Sequence, residues 1–167
     1  PAVETSYHRL TVDGDTSTND TILLLANGAS GVKVGSRERK AFQAALEEVL
    51  QELARKIARD GEGARKLVTI EVEGTRTNED AASIARSIAN SALVKTAFFG
   101  EDANWGRIIA ALGRSGCQFQ PERVSIAFDH VVMVKNGLGC GKEAEKKASK
   151  VLQQKEFTVT VDLRDGS

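Results

Sequence analysis

A mixed α/β (α+β) fold in two parts follows from three features of this sequence. Stretches that alternate apolar and polar with period two are interleaved with stretches whose apolar residues recur every three or four positions. From residue 67 the elements read β-α-α-β-β-α-β, close to the split βαβ, ferredoxin-like plan with one extra helix. Near Lys66 the chain changes character, from a long charged helical pattern to short alternating strands. The expected domains are therefore 1–66 and a smaller ferredoxin-like α/β domain over 67–167.

The elements follow in order. HRLTVD (8–13) and TILLLA (21–26) read as strands, the second apolar enough to be buried on both faces. NGASG (27–31) is turn chemistry. Ser36 can cap a helix running to about Arg59, with Phe42, Leu46, Val49, Leu50, Leu53 and Ile57 on one face. Asp60-Gly61-Glu62-Gly63 ends it, and Gly61 suits a left-handed C-terminal cap. LVTIEVEG (67–74) sets Val68, Ile70 and Val72 on one face and Leu67, Thr69 and Glu71 on the other. Thr77 or Asn78 can cap the next helix, where Glu79 and Asp80 complement the positive end of its dipole. A short helix over 104–112 ends at Gly113. RVSIAF and VVMVKN flank Asp129-His130 as a hairpin. EAEKKASKVLQQ (143–154) is an amphipathic helix, and EFTVTVDL (156–163) is a strand burying Phe157, Val159, Val161 and Leu163.

Lys plus Arg equals Asp plus Glu at 23 each, so the net charge is zero. That argues against nucleic acid, whose phosphates call for a basic surplus, and leaves no polybasic membrane signal. No apolar run is long enough to cross a bilayer, and PAVETSYHRL lacks the apolar segment of a signal peptide. Cys117 and Cys140 form neither a disulfide framework nor a metal-spacing pattern, which suits reduced thiols in the cytosol. The chain starts at Pro1 and stops directly after a strand pattern, as expected of a piece of something larger.

Four segments and two histidines could carry chemistry. DGDTSTNDT (13–21) has the first oxygen spacing of a calcium loop, but the sixth position is Thr18 and the twelfth is Leu24, so that reading fails. What stays open is a turn held by Asx and hydroxyl bonds, or an active-site scaffold. KNGLGCGKE (135–143) fails the Walker loop at Asn136 and Glu143 and fails the Rossmann spacing, leaving a flexible strand-to-helix connection. His8 and His130 stand isolated, without a paired metal motif. KTAFFGEDANWGRIIAALG (95–113) concentrates two Phe and the only Trp of an aromatic-poor chain around Glu101, Asp102, Asn104 and Arg107. A helix start beside Arg107 could take a carboxylate; a structural corner with a buried Trp and an Arg–Asp pair is the favoured reading. In RDGEGARK (59–66), Glu62 lies between two glycines, which let a ligand approach closely. By composition alone it reads as a solvated Glu in a cap.

Taken together and in order, DGDTSTNDT with ILLLANG, then DGEG-x-x-K, then SALVKTAFFG, then DANWGRI resemble the second (β) chain of ornithine acetyltransferase. That family is also called glutamate N-acetyltransferase, or the bifunctional arginine-biosynthesis protein. The resemblance covers nearly the whole 167 residues. It implies a precursor that cuts itself ahead of a Thr, which then serves as N-terminal nucleophile. An acetyl-Thr intermediate passes acetyl from N-acetylornithine to glutamate, or in bifunctional members from acetyl-CoA, with ping-pong kinetics. The α chain would supply the oxyanion hole and complete an αββα core of the N-terminal-nucleophile type, to which residues 1–66 contribute. An αβ dimer assembling further is implied, with no metal, no bound cofactor and acetyl-CoA as a substrate at most. The location implied is cytoplasmic, or the mitochondrial matrix in a fungus.

The motif around the nucleophilic Thr would precede Pro1, so no catalytic residue is assigned within this chain, and the 167-residue piece alone is expected to be inactive. One residue carries over: Glu62 in DGEG matches the family's substrate-binding Glu, accepting hydrogen bonds from an ammonium group of the amino-acid substrate. The resemblance leaves DGDTSTNDT bracing an active-site wall and NWGR in packing or an interface. Two alternatives differ in kind: a non-catalytic ligand-binding or regulatory α/β module, and an aminopeptidase or amidase of the same nucleophile type.

Overall fold

A computed structural model describes residues 1–165. The chain divides into two compact units, Pro1–Gly61 and Glu62–Ser167.

In the first unit the described elements are a 3-10 turn, Tyr7–Arg9, and helix α1, Arg39–Arg59. The strands expected over 8–13 and 21–26 do not form. The physical reason is the absence of a ladder. A strand needs a neighbour's N–H and C=O groups along its edge, and no described segment pairs with either stretch. Leu23, Leu24 and Leu25 are consequently 77%, 64% and 90% exposed. The αββα core to which residues 1–66 are expected to contribute is one shared with an α chain. Helix α1 starts three residues after Ser36 and has no side-chain cap bond. Leu50 and Ala54 are buried, while Phe42, Val49, Leu53 and Ile57 are exposed. Its C-cap, Asp60, has φ −93°, and the left-handed position falls at Gly63 (φ 69°) rather than at Gly61.

The second unit is built on a five-stranded sheet. Strands β1 (Leu67–Glu73), β2 (Ser125–Phe128), β3 (Val131–Lys135), β4 (Leu138–Gly139) and β5 (Glu156–Asp162) lie in the order β1-β5-β2-β3-β4. Strand β1 runs parallel to β5, and β2 is antiparallel to both β5 and β3. Helices α2 (Asn78–Ala89), α3 (Ala92–Phe99) and α4 (Trp105–Gly113) connect β1 to β2, and α5 (Lys142–Leu152) connects β4 to β5. The mixed α+β class is thus what the chain adopts. It contains one split β-α-β unit, β3 and β5 astride β2, where a ferredoxin-like sheet has two. The difference arises because β1 adds at the outer side of β5 instead of inserting between strands.

Period two decides which side chains enter the core. Phe157, Val159, Val161 and Leu163 are all 3% exposed or less, as are Ile126 and Phe128. Val68, Ile70 and Val72 pack against the same core, while Thr69 and Glu71 take the other face. Helices α2 to α5 cover it with Ile84, Ile88, Val94, Phe98, Ile108, Leu112 and Leu152. Phe98 sets its ring edge-on to Phe128 (6.3 Å) and Phe157 (5.4 Å), the arrangement aromatic quadrupoles favour. The Asp129-His130 hairpin forms as expected. Asp129 takes φ 47°, and its carboxylate accepts the Thr158 N–H at 2.8 Å.

Candidate functional site

The two most suggestive segments of the sequence, DGEGARK and KTAFFGEDANWGR, meet in the second unit. Helix α3, absent from the elements expected of the sequence, makes the meeting possible. Its cap is the buried Ser91, whose side chain accepts from the Val94 N–H. Helix α3 is short and apolar on most sides, so no amphipathic stripe announces it.

At its C-terminus α3 ends in a complete Schellman motif. The Asp102 N–H donates to Ala97 C=O at 2.9 Å and the Glu101 N–H donates to Phe98 C=O at 3.3 Å. The left-handed position of such a motif is normally Gly. Here Gly100 sits one residue early (φ −81°) and Glu101 occupies it with φ 58°. For an L-residue that conformation costs about 1 kcal/mol. The Glu101 carboxylate is used: it pairs with the Lys66 ammonium at 3.3 Å. Lys66 is largely buried, its side chain 13% exposed, and it also donates to the C=O of Leu152, the last residue of α5. A cation at a helix C-terminus satisfies an orphan carbonyl and complements the dipole.

Two further anchors flank Lys66. The Arg65 guanidinium lies over the Phe99 ring, 5.2 Å from its centroid. The Leu67 N–H donates to Lys155 C=O at 2.8 Å. Three consecutive residues are thereby tied down, by α3, α5 and the start of β5. Ahead of them Glu62, Gly63 and Ala64 are all exposed. Glu62 forms no hydrogen bond or ion pair among the described residues, so its carboxylate is available to a ligand. Both segments stand out in the sequence, but nothing in it links positions 66 and 101; only tertiary structure does.

The remaining candidates make local contacts. In DGDTSTNDT, Asp13 accepts the Asp15 N–H at 2.8 Å, and Ser17 accepts the N–H groups of Asn19 (3.1 Å) and Asp20 (2.9 Å). These are Asx and hydroxyl turns in an exposed segment. Arg107 does not pair with an Asp: it donates to Leu93 C=O (2.8 Å) and Thr96 Oγ1 (3.0 Å), fastening α4 to α3. Asn104 caps α4 by accepting the Arg107 N–H, and its amide donates to Asp102.

Gly137 and Gly139 of KNGLGCGKE answer to packing, whereas Gly141 (φ 82°) has open space where a Cβ would be. A Cβ on Gly137 would sit 2.5 Å from Pro121 O, and one on Gly139 would sit 3.1 Å from the Trp105 ring. The segment also holds β4, so it is a small hairpin before it is a connection to α5. His130 is exposed at the β2–β3 turn and His8 lies in the N-terminal 3-10 turn. Among the described residues no group of three or more His, Cys, Asp or Glu could hold a metal ion, and no helix is long and apolar enough to cross a membrane.

Comparisons with known proteins bear on what this arrangement serves. The ArgJ family profile matches residues 1–167. An arginine biosynthesis bifunctional protein ArgJ of Desulfotalea psychrophila is 53% identical over 169 residues, covering 99% of this chain and 43% of that protein. A glutamate N-acetyltransferase of Methanocaldococcus jannaschii is 46% identical, covering 98% of this chain and 42% of that protein. The crystal structure of the ArgJ protein of Bacillus halodurans superposes with a TM-score of 0.93 at 39% identity, covering 99% of this chain and 79% of that one. This chain spans less than half the length of the curated relatives it matches. With a profile along its full length and relatives at this identity, the chain belongs to the ArgJ family.

Proposed function

We propose that the whole protein to which this chain belongs is a glutamate N-acetyltransferase of arginine biosynthesis. It moves acetyl from N-acetylornithine to glutamate through an acetyl-Thr intermediate. Family membership along all 167 residues supports the reaction class. In the first half-reaction a Thr hydroxyl outside this chain attacks the acetyl carbonyl, its proton passes to a neighbouring amine, and ornithine leaves as the amine. In the second, the glutamate amine attacks the acetyl-Thr ester and the hydroxyl is restored. Each half is an acyl transfer balanced by proton transfers, with no change of oxidation state, so the proposal includes no metal and no resident cofactor. Acetyl-CoA enters as an alternative acetyl donor, a substrate in its own right. The partner is the α chain of the same precursor, joined in an αβ dimer that assembles further in the cytoplasm, or in the mitochondrial matrix of a fungus.

Within this chain the proposal rests on Glu62. Its accessible carboxylate on a glycine-flanked turn is suited to accept hydrogen bonds from a substrate ammonium. A hydrogen bond between charged groups is worth about 1.5–3 kcal/mol, so Glu62→Ala should raise KM for N-acetylornithine roughly ten- to hundredfold. The measurement is steady-state transfer of acetyl from N-acetylornithine to glutamate by the complete two-chain enzyme. KM and kcat both unchanged in Glu62→Ala would remove Glu62 from the substrate site.

A further inference from the structure

We propose that Glu101 and Lys66 are positioning residues for the substrate carboxylate Glu62, acting through the segment 62–66 that joins them. The inference rests on the reading of Glu62 given above and extends it to residues that touch no substrate themselves.

The chain on either side of Glu62 is intrinsically loose. Gly61 and Gly63 flank it, and Gly63 has φ 69° with open space where a Cβ would be. Glycines leave the backbone free to choose among many conformations, so they cannot hold a carboxylate in one place. The order must come from the neighbouring anchor. On the C-terminal side that anchor is the triple attachment at Arg65, Lys66 and Leu67. Arg65 contributes least rigidity, because its aromatic partner Phe99 is itself 61% exposed. Leu67 is held through its backbone and fixes β1 more than the loop. Lys66 is the member whose side chain is largely buried and whose ammonium has two acceptors, one just past α3 and one at the end of α5.

Glu101 stands where a residue that served only to end α3 would be Gly, which takes the left-handed position of a Schellman motif without steric cost. Glu there trades cap stability for a carboxylate aimed at Lys66. Stability is thus lost locally and a fixed cation is gained, four residues from the group that faces the substrate. Removing the pair loosens one of the attachments that hold the end of a four-residue, glycine-containing tether. Glu62 then samples positions away from the ammonium it must meet, and binding weakens in proportion to the fraction of time it is misplaced.

The test uses the complete two-chain enzyme, with Glu101→Gln, Glu101→Gly and Glu62→Ala alone and in combination. Glu101→Gln removes the charge, and Glu101→Gly removes it while relaxing the backbone. Each is expected to raise KM for N-acetylornithine about fivefold, the scale of a partly exposed ion pair, with kcat within about twofold. Glu101→Gly should do so while melting no lower than the parent, an outcome that a purely stabilising pair would not produce. In the Glu62→Ala background both changes should leave KM where Glu62→Ala alone puts it. KM is independent of how much protein folds, so loss of yield does not obscure the result.

Unchanged KM in both Glu101 variants, with a raised KM in Glu62→Ala, would overturn the positioning role and leave the reading of Glu62 intact. The same KM increase with and without Glu62 would also overturn it. A normal KM in Glu62→Ala would overturn both.

Discussion

The two units carry similar sequence patterns and treat them differently. In the first, Ile22, Leu23, Leu24 and Leu25 form an apolar run as strand-like as any in the chain, and they are 51–90% exposed. In the second, Phe157, Val159 and Val161 alternate along β5 and are 3% exposed or less. Apolar content does not separate the two. Strand β5 has β1 on one edge and β2 on the other, and a layer of helices beneath. The run at 22–25 has neither. A pattern expresses what a segment could pair with; whether it pairs depends on what else the polypeptide brings to it.

Core substitutions probe this contrast most strongly. Phe128→Ala in the second unit removes a fully buried ring in edge contact with Phe98 and should cost about 3–5 kcal/mol in denaturant unfolding. Leu25→Ala, at a side chain 90% exposed in the first, should cost less than about 0.5 kcal/mol in the same 167-residue chain. Equal effects would mean that the contrast in burial between the units does not hold in solution.

Helix ends show the same difference on a smaller scale. Thr77 caps α2 by accepting the Asp80 N–H at 3.1 Å, whereas α1, with Glu38 at its N-cap, has no side-chain cap bond. Thr77→Ala should lower stability by about 1 kcal/mol, measured by thermal or denaturant unfolding. Glu38→Ala removes no cap of that kind and should be milder.

A change of pH should give the faintest signal. On α1 the Lys56 ammonium, hydrogen-bonded to Glu52 at 2.8 Å, holds the Glu52 carboxyl below its usual range. A carboxyl lowered in the folded state stabilises it above the unfolded value, and that contribution is lost as pH falls through the folded one. Glu52→Gln should therefore flatten slightly the acid-induced loss of helical circular dichroism. Salt should weaken the same contribution, because both groups are exposed. An unaltered acid profile in Glu52→Gln would show that the pair contributes nothing measurable.

Much of the second unit is legible in the amino-acid sequence. Alternation in EFTVTVDL and LVTIEVEG identifies strands and their buried faces, because the period of two is a local consequence of the pleat. Thr77 and Asn104 are readable as caps because capping chemistry acts over three residues. Three features are not legible in this way. Helix α3 is too short and too uniformly apolar to show a stripe. The left-handed cap at Glu101 contradicts the preference for Gly that would place it at Gly100. The ion pair between Lys66 and Glu101 spans 35 residues. Glu62 stands out through its match to a family motif; its composition alone describes a solvated cap.

Local sequence suffices to place the second unit's strands and most of its helices, to say which faces they bury, and to assign the chain to its family. These are properties of periodicity, short-range hydrogen bonding and motif order. Long-range folding set the rest: the strand order, the failure of the first unit's apolar runs to become strands, and the meeting of Arg65 and Lys66 with the end of α3. Each of those depends on which distant groups come within a few ångströms of one another, and no local pattern encodes that distance.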